Sequence, residues 1–250
     1  MGPVLFLHEE AAEEIAERLA DIKRDFNAPA VITAFPEPWL AILPGATIVP
    51  EADLLDLTPG AHDLVVHAMG LHWSNDPVGQ LVQSRRGLRP DGLFLGVMLG
   101  GQTLSELRAV LAEAEVAVTG GLSPRVLPMG EIRDLGGLLQ RAGFALPVAD
   151  ASLRRVSYRD ALHLMADLRA MGEANALSQR LRHATRRAVI AAAAARYAEA
   201  YPEGEGRIRA SFELIYLAGW APHESQQKPL RPGSAVNRLA AALGADETKL

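Results

Sequence analysis

The chain has 250 residues, 49% hydrophobic and 22% charged, with a net charge of -5 and no cysteine. That is enough chain to bury a core in one domain. It excludes disulfides, thiolate metal sites and cysteine nucleophiles, and it lacks the clustered Lys and Arg that grip nucleic acid.

Residues 9–26 carry Ile15, Leu19 and Ile22 at helical spacing among acids and bases, the pattern of an amphipathic helix. The β-branched run 30–34, bracketed by Pro29 and Pro36, predicts a buried strand. Residues 36–43 predict a short helix, since proline is tolerated in a first turn. After the Pro44-Gly45 turn, 46–49 predicts a second strand and 54–57 a weaker third. Residues 63–68 (Leu64, Val65, Val66) lack polar alternation, as in a parallel strand covered on both faces. A helix at 77–86, with Asn75 or Asp76 placed to cap it, leads through a turn at 87–92 to a continuous apolar strand at 93–99. Thr103 or Ser105 is placed to cap a helix at 105–115; 129–142 is a further helix, closed by Gly143, and 146–156 carries one or two strands. Helices at 158–171 and 183–201 precede a long alternating segment, 208–220, which reads as an antiparallel edge or penultimate strand. From His223 onward, with Pro222, Pro229 and Pro232 nearby, the tail reads as irregular.

Strands alternating with helices predict a doubly wound, mostly parallel α/β sheet, with ligands bound beyond the C-terminal strand ends. There is no internal repeat or boundary, so 1–250 reads as a single domain, with 158–201 a helical cap inserted between the last two strands. The N-terminal apolar run meets acids where a signal peptide needs a cleavage site. The other apolar runs are too short to cross a bilayer. The chain therefore reads as cytoplasmic, with no integral membrane segment and no nucleic-acid partner.

Three groups of segments go beyond fold class. The first is LHWSNDP (71–77) with GLRPDGLFLGVMLGGQTLSELR (87–108). The second is GGLSPRVLP (120–128) with DLGGLLQRAGF (134–144). The third is MGEANAL (171–177) with YLAGWAPHESQQKPLRPGSA (216–235). From residue 6 to residue 235 the chain resembles the BioC-like branch of S-adenosylmethionine-dependent methyltransferases, and within it the complex I assembly factors that carry a methyltransferase domain. The resemblance implies a class I sheet of seven strands, the last antiparallel, and S-adenosylmethionine as cofactor. It also implies a protein or small-molecule acceptor, a complex I subunit among the candidates. The mitochondrial branch adds hydroxylation of an arginine.

The superfamily places an acid and a G-x-G-x-G loop after the first strand, because the cofactor's methionyl part approaches the backbone there. This chain has Thr33-Ala34-Phe35-Pro36-Glu37-Pro38-Trp39, with no glycine and two prolines that lack an N–H. Phe35 and Trp39 add bulk where the cofactor would lie. The expected cofactor-binding residues are Ala34, Phe35, Glu51, Asp53, Asp56, Met69, Gly70, Leu71 and Trp73, with Glu51 or Asp53 for the ribose hydroxyls. A decayed, non-catalytic scaffold, a shifted cofactor pose and a pocket rewired for another small molecule all remain open.

His72 has two readings: a base or orienter of the acceptor, or a hydrogen-bond partner of the next helix. Arg125, Glu173, Asn175 and Tyr216 are the acceptor-pocket candidates; His223 and Glu224 sit in the same specific segments and read as structural. Gly100-Gly101 either lets a ligand pass or makes a tight turn. The basic stretch 180–187 reads as a solvated helix face or a contact for an acidic partner. Histidines 62, 67 and 72 are five apart, which fits no metal signature, and no metal site is assigned. The leading function is methyl transfer. The alternatives are a silent or arginine-hydroxylating complex I assembly factor and, more distantly, methylation of a malonyl thioester.

Overall fold

The computed structural model describes residues 2–227. Helix α1 (Phe6–Ile22) ends where Lys23 enters the left-handed region (φ 53°) and leads to β1 (Pro29–Ile32). Helix α2 (Pro36–Ile42) follows at once, begun by Pro36, and β2 (Thr47–Val49) and β3 (His62–Ala68) come next. A short 3₁₀ turn (Leu71–Trp73) precedes α3 (Pro77–Gly87), β4 (Leu88–Gly100), α4 (Ser105–Thr119) and α5 (Ile132–Arg141). β5 (Ala145–Tyr158), α6 (Ala161–Ala170), α7 (Arg187–Ala200) and β6 (Ile208–Trp220) complete the order.

The strands lie in the order β2-β1-β3-β4-β6-β5. The first four run parallel, and β6 is antiparallel to both β4 and β5. Successive side chains of a strand point to opposite faces, and here both faces are covered. Leu93, Leu95, Val97 and Leu99 of β4 join α1, α4, α6 and α7 in one core, while Phe94 and Met98 join α3 and α5 in the other. The doubly wound α/β arrangement with an antiparallel last strand is therefore as expected, and β6 takes the penultimate position.

The strand count differs from the expectation: six strands are present among the described residues, not seven. Residues 54–57 form no strand, and Leu54 is 82% exposed. The hydrogen bonds of this region go to side chains of α3 instead. Leu55 N–H donates to Gln83 Oε1 (2.8 Å), and the Asp53 carbonyl accepts from Gln80 and Gln83. The predicted turn at 87–92 is absorbed into β4 as a bulge, with three extra residues between two registered pairs and Asp91 at φ 62°. Residues 145–158 form one continuous strand, so Tyr158 closes β5 and does not open a helix. Asp76 caps α3 through Gly79 N–H (2.8 Å). Neither Thr103 nor Ser105 caps α4; Thr103 Oγ1 instead bonds the backbone of Glu213. Of the irregular tail, residues 228–250 lie outside the described residues. Among the described residues, no helix is long and apolar enough to cross a membrane.

Gly100 and Gly101 line no cavity described below; they let β4 pack against β6. A Cβ on Gly100 would strike the Ile215 side chain and stand 3.1 Å from the Gly130 carbonyl, while Gly101, at φ +47°, faces the Glu213 carboxylate. Gly100→Ala is expected to lower stability by about 1–3 kcal/mol through overpacking. The reading is a lower urea midpoint at unchanged slope; an unshifted midpoint would contradict the packing argument.

Candidate functional site

The parallel strands end in a cleft. Its larger lobe, about 460 Å³, is bounded by His8 from α1, by Ala34 and Phe35 after β1, by Glu51 after β2, and by residues 171–180 between α6 and α7. A smaller lobe of about 170 Å³ lies between Ala52-Asp53 and the side chains of His67, Ser74 and Gln80. The two lobes share Glu51 and Trp73. A narrow apolar pocket of about 70 Å³ opens beyond Trp73 and Glu173, against Leu99, Leu104 and Leu107.

Two amides of the first loop are engaged within the protein: Thr33 N–H donates to the Val49 carbonyl (3.1 Å) and Phe35 N–H to Thr33 Oγ1 (3.1 Å). Pro36 has no N–H. Phe35 walls the cleft, edge-on to His8 at 5.0 Å between centroids. Trp39, expected to crowd the cofactor, is wholly buried in the core, and its indole N–H donates to His8 Nδ1 (3.3 Å).

Glu51 as a residue is exposed, but its carboxyl tucks against Gly70, where a Cβ would collide with it. A side chain at position 70 would push the Glu51 carboxyl out of this position. Burial of that carboxyl pushes its pKa above the usual value, against the His72 ring and the Ala34 N–H. His67 and His8 are both pulled down to about 4, chiefly by burial, so both rings are neutral near pH 7. His67 Nε2 pairs with Gln80 Oε1 (3.3 Å).

Glu173 joins the lobes to the narrow pocket. Its Oε1 accepts from Trp73 Nε1–H (3.4 Å) and pairs with His72 Nε2 (3.0 Å). The His72 side chain is 2% exposed and lines none of these cavities; it lies behind Glu173. Asn175, in the same segment, donates to the Pro124 carbonyl (2.9 Å).

The cleft thus gathers Ala34, Phe35, Glu51, Asp53, Met69, Gly70, Trp73, Glu173 and Asn175. Leu71 points into the core, Asp56 is exposed away from the cleft, and Tyr216 lies on the α1 face under the Arg18 guanidinium (4.2 Å). Arg125 reaches the edge of the narrow pocket, but its guanidinium is engaged by Glu115 and Thr185. His223 is held in a local turn with Ser225 (2.7 Å). Among the described residues, no group of three His, Asp or Glu side chains is arranged to hold a metal.

Sequence reasoning missed His8, Ala52, Ser74, Gln80 and Arg180 as cleft residues. His8 offered no signal beyond its place on an amphipathic helix. The stretch 180–187 was read as a helix face, yet α7 begins only at Arg187 and Arg180 faces the cleft from a loop.

No family model matches the chain. It is 35% identical to the arginine-hydroxylase NDUFAF5 of Homo sapiens, over 92% of this chain and 74% of that protein. Its match to the Danio rerio protein of that name is 39%, over 77% of this chain and 60% of the relative. A malonyl-[acyl-carrier protein] O-methyltransferase of Xylella fastidiosa is 34% identical over 72% of this chain and 58% of its own length. Among solved structures, a Bacillus halodurans protein provisionally named a methyltransferase superposes with a TM-score of 0.52 at 14% identity. That superposition covers 83% of this chain and 99% of the other, and establishes the shared fold.

Proposed function

Since the chain belongs to the NDUFAF5 arginine-hydroxylase family, we propose that it is a methyltransferase-like protein holding S-adenosylmethionine in the cleft over β1–β3 and serving a protein or small-molecule acceptor at Glu173. The observation that carries this reading is Glu51, a carboxylate at the end of β2 between two lobes, where it suits a pair of ribose hydroxyls. Ala52, Asp53, Ser74 and Gln80 bound the smaller lobe, which suits the base. Gly70 leaves room for the Glu51 carboxyl, and Met69 and Phe35 supply apolar wall.

When bound, S-adenosylmethionine would supply an electrophilic methyl group. The chain's own part is positioning and the exclusion of water. Glu173 presents a fixed carboxylate at the mouth of the narrow pocket, oriented by His72 and Trp73, and suits a cationic acceptor such as an arginine side chain. His72 acts through Glu173 and not on the acceptor itself. The segment between β5 and β6 serves as the cap; Asn175 ties its 171–177 stretch to the Pro124 carbonyl, and Arg125 reaches Thr185 farther along it. We place the chain in the cytoplasm on its cysteine-free composition; the mitochondrial location belongs to its relatives' names.

One observation favours a second reading, assembly of complex I without methyl transfer: two first-loop amides that would meet the methionyl part, those of Thr33 and Phe35, are engaged within the protein. Calorimetric titration with S-adenosylmethionine and S-adenosylhomocysteine separates the two. Micromolar binding is expected; no heat at millimolar ligand would discard the cofactor reading and leave assembly alone. On a client arginine peptide, a mass gain of one methylene or of one oxygen then tells methylation from hydroxylation.

A further inference from the structure

We infer that the amino-acid end of the cofactor is gripped by side chains from outside the first loop, with Arg180 and the Nε2–H of His8 holding its carboxylate. This rests on the S-adenosylmethionine reading above. A carboxylate entering the large lobe needs donors, and in the first loop the Thr33 and Phe35 amides are already engaged while Pro36 has none. His8 and Arg180 line that same lobe beside Ala34 and Phe35.

Arg180 has donors to offer. One Nη1 N–H goes to the Leu177 carbonyl (3.0 Å), and among the described residues no carboxylate pairs with the guanidinium. His8 is fixed in tautomer by its neighbour. Its Nδ1 accepts the Trp39 indole N–H, so the neutral ring carries its proton on Nε2. Burial keeps that ring neutral, at a pKa of about 4.

Charge agrees with this placement. Among the described residues the lobe is lined by two carboxylates, Glu51 and Glu173, and one guanidinium, Arg180, which leaves these lining groups one negative charge. S-adenosylmethionine carries a sulfonium, an ammonium and a carboxylate, one positive charge in all. Among the described residues Arg180 is the one guanidinium in that wall, and a planar guanidinium matches a carboxylate in two parallel hydrogen bonds.

The test is calorimetry on the whole chain with two probes, S-adenosylhomocysteine and 5′-methylthioadenosine, which share the thioether nucleoside but differ in the amino-acid end. Wild type is expected to bind S-adenosylhomocysteine the more tightly. Arg180→Ala is expected to weaken that ligand about tenfold and leave 5′-methylthioadenosine unchanged, and Arg180→Lys is expected to recover part of the loss. Unchanged S-adenosylhomocysteine affinity in Arg180→Ala, or equal losses for both probes, would overturn the assignment. If wild type binds 5′-methylthioadenosine and S-adenosylhomocysteine equally, the carboxylate grip is wrong while the nucleoside site stands. If wild type binds neither, both readings fall together.

Discussion

Glu115→Ala is expected to lower the stability of the protein by about 1.5–3 kcal/mol, the range for hydrogen bonds to charged groups. The Glu115 side chain is 6% exposed and that of Arg125 is 15% exposed. Arg125 meets the carboxylate with two parallel bonds, Nε to Oε2 (2.9 Å) and Nη2 to Oε1 (2.8 Å), and Ser123 adds its N–H and hydroxyl. Alanine would leave the half-buried guanidinium with only Thr185. Urea unfolding is the measurement, and a loss below about 1 kcal/mol would place this pair with weak surface bridges. The pH dependence has a fixed sign. The Arg125 hydrogen bonds hold the Glu115 carboxyl down to about 2, against its ordinary 4.5. A depressed carboxylate stabilises the fold above the unfolded value and loses that contribution as pH falls toward 2. Wild type should therefore lose stability across that acid window more steeply than Glu115→Ala does.

The same pair shows what a sequence does and does not give away. The strands at 63–68 and 93–99 were legible because continuous apolar runs need cover on both faces, and the sheet provides it. Glu51, singled out because the family resemblance expects an acid after the second strand, lies between the two lobes. The missing seventh strand was not. Residues 54–57 carry three leucines, but the Leu55 N–H and the neighbouring Asp53 carbonyl bond glutamine side chains of α3, and nothing local announces that substitution. Arg125 stands in a family-specific segment, but only coordinates show Glu115 ten positions before it occupying the guanidinium. Arg180 and His8 were illegible for the opposite reason. Each sits in a stretch with a sufficient local explanation, and only the path of residues 171–186 over the strand ends brings them to one lobe.

Glu51→Ala is expected to weaken both S-adenosylhomocysteine and 5′-methylthioadenosine by about 100-fold, as two charge-assisted bonds to ribose hydroxyls are lost at about 1.5 kcal/mol each. Loss on both probes is the signature of the nucleoside end, and sets this variant apart from Arg180→Ala. Gly70→Ala should reproduce the loss without removing any polar group, because its Cβ would stand where the Glu51 carboxyl now lies. The pH profile carries the same information. Burial raises the Glu51 pKa, so the carboxylate takes up its proton earlier on acidification than an ordinary glutamate does. Affinity in wild type should fall as pH drops through that raised value, and Glu51→Gln should be weaker but flat over the same range. Full-strength binding of both probes by Glu51→Ala would remove Glu51 from the site and, with it, the observation on which the cofactor reading stands.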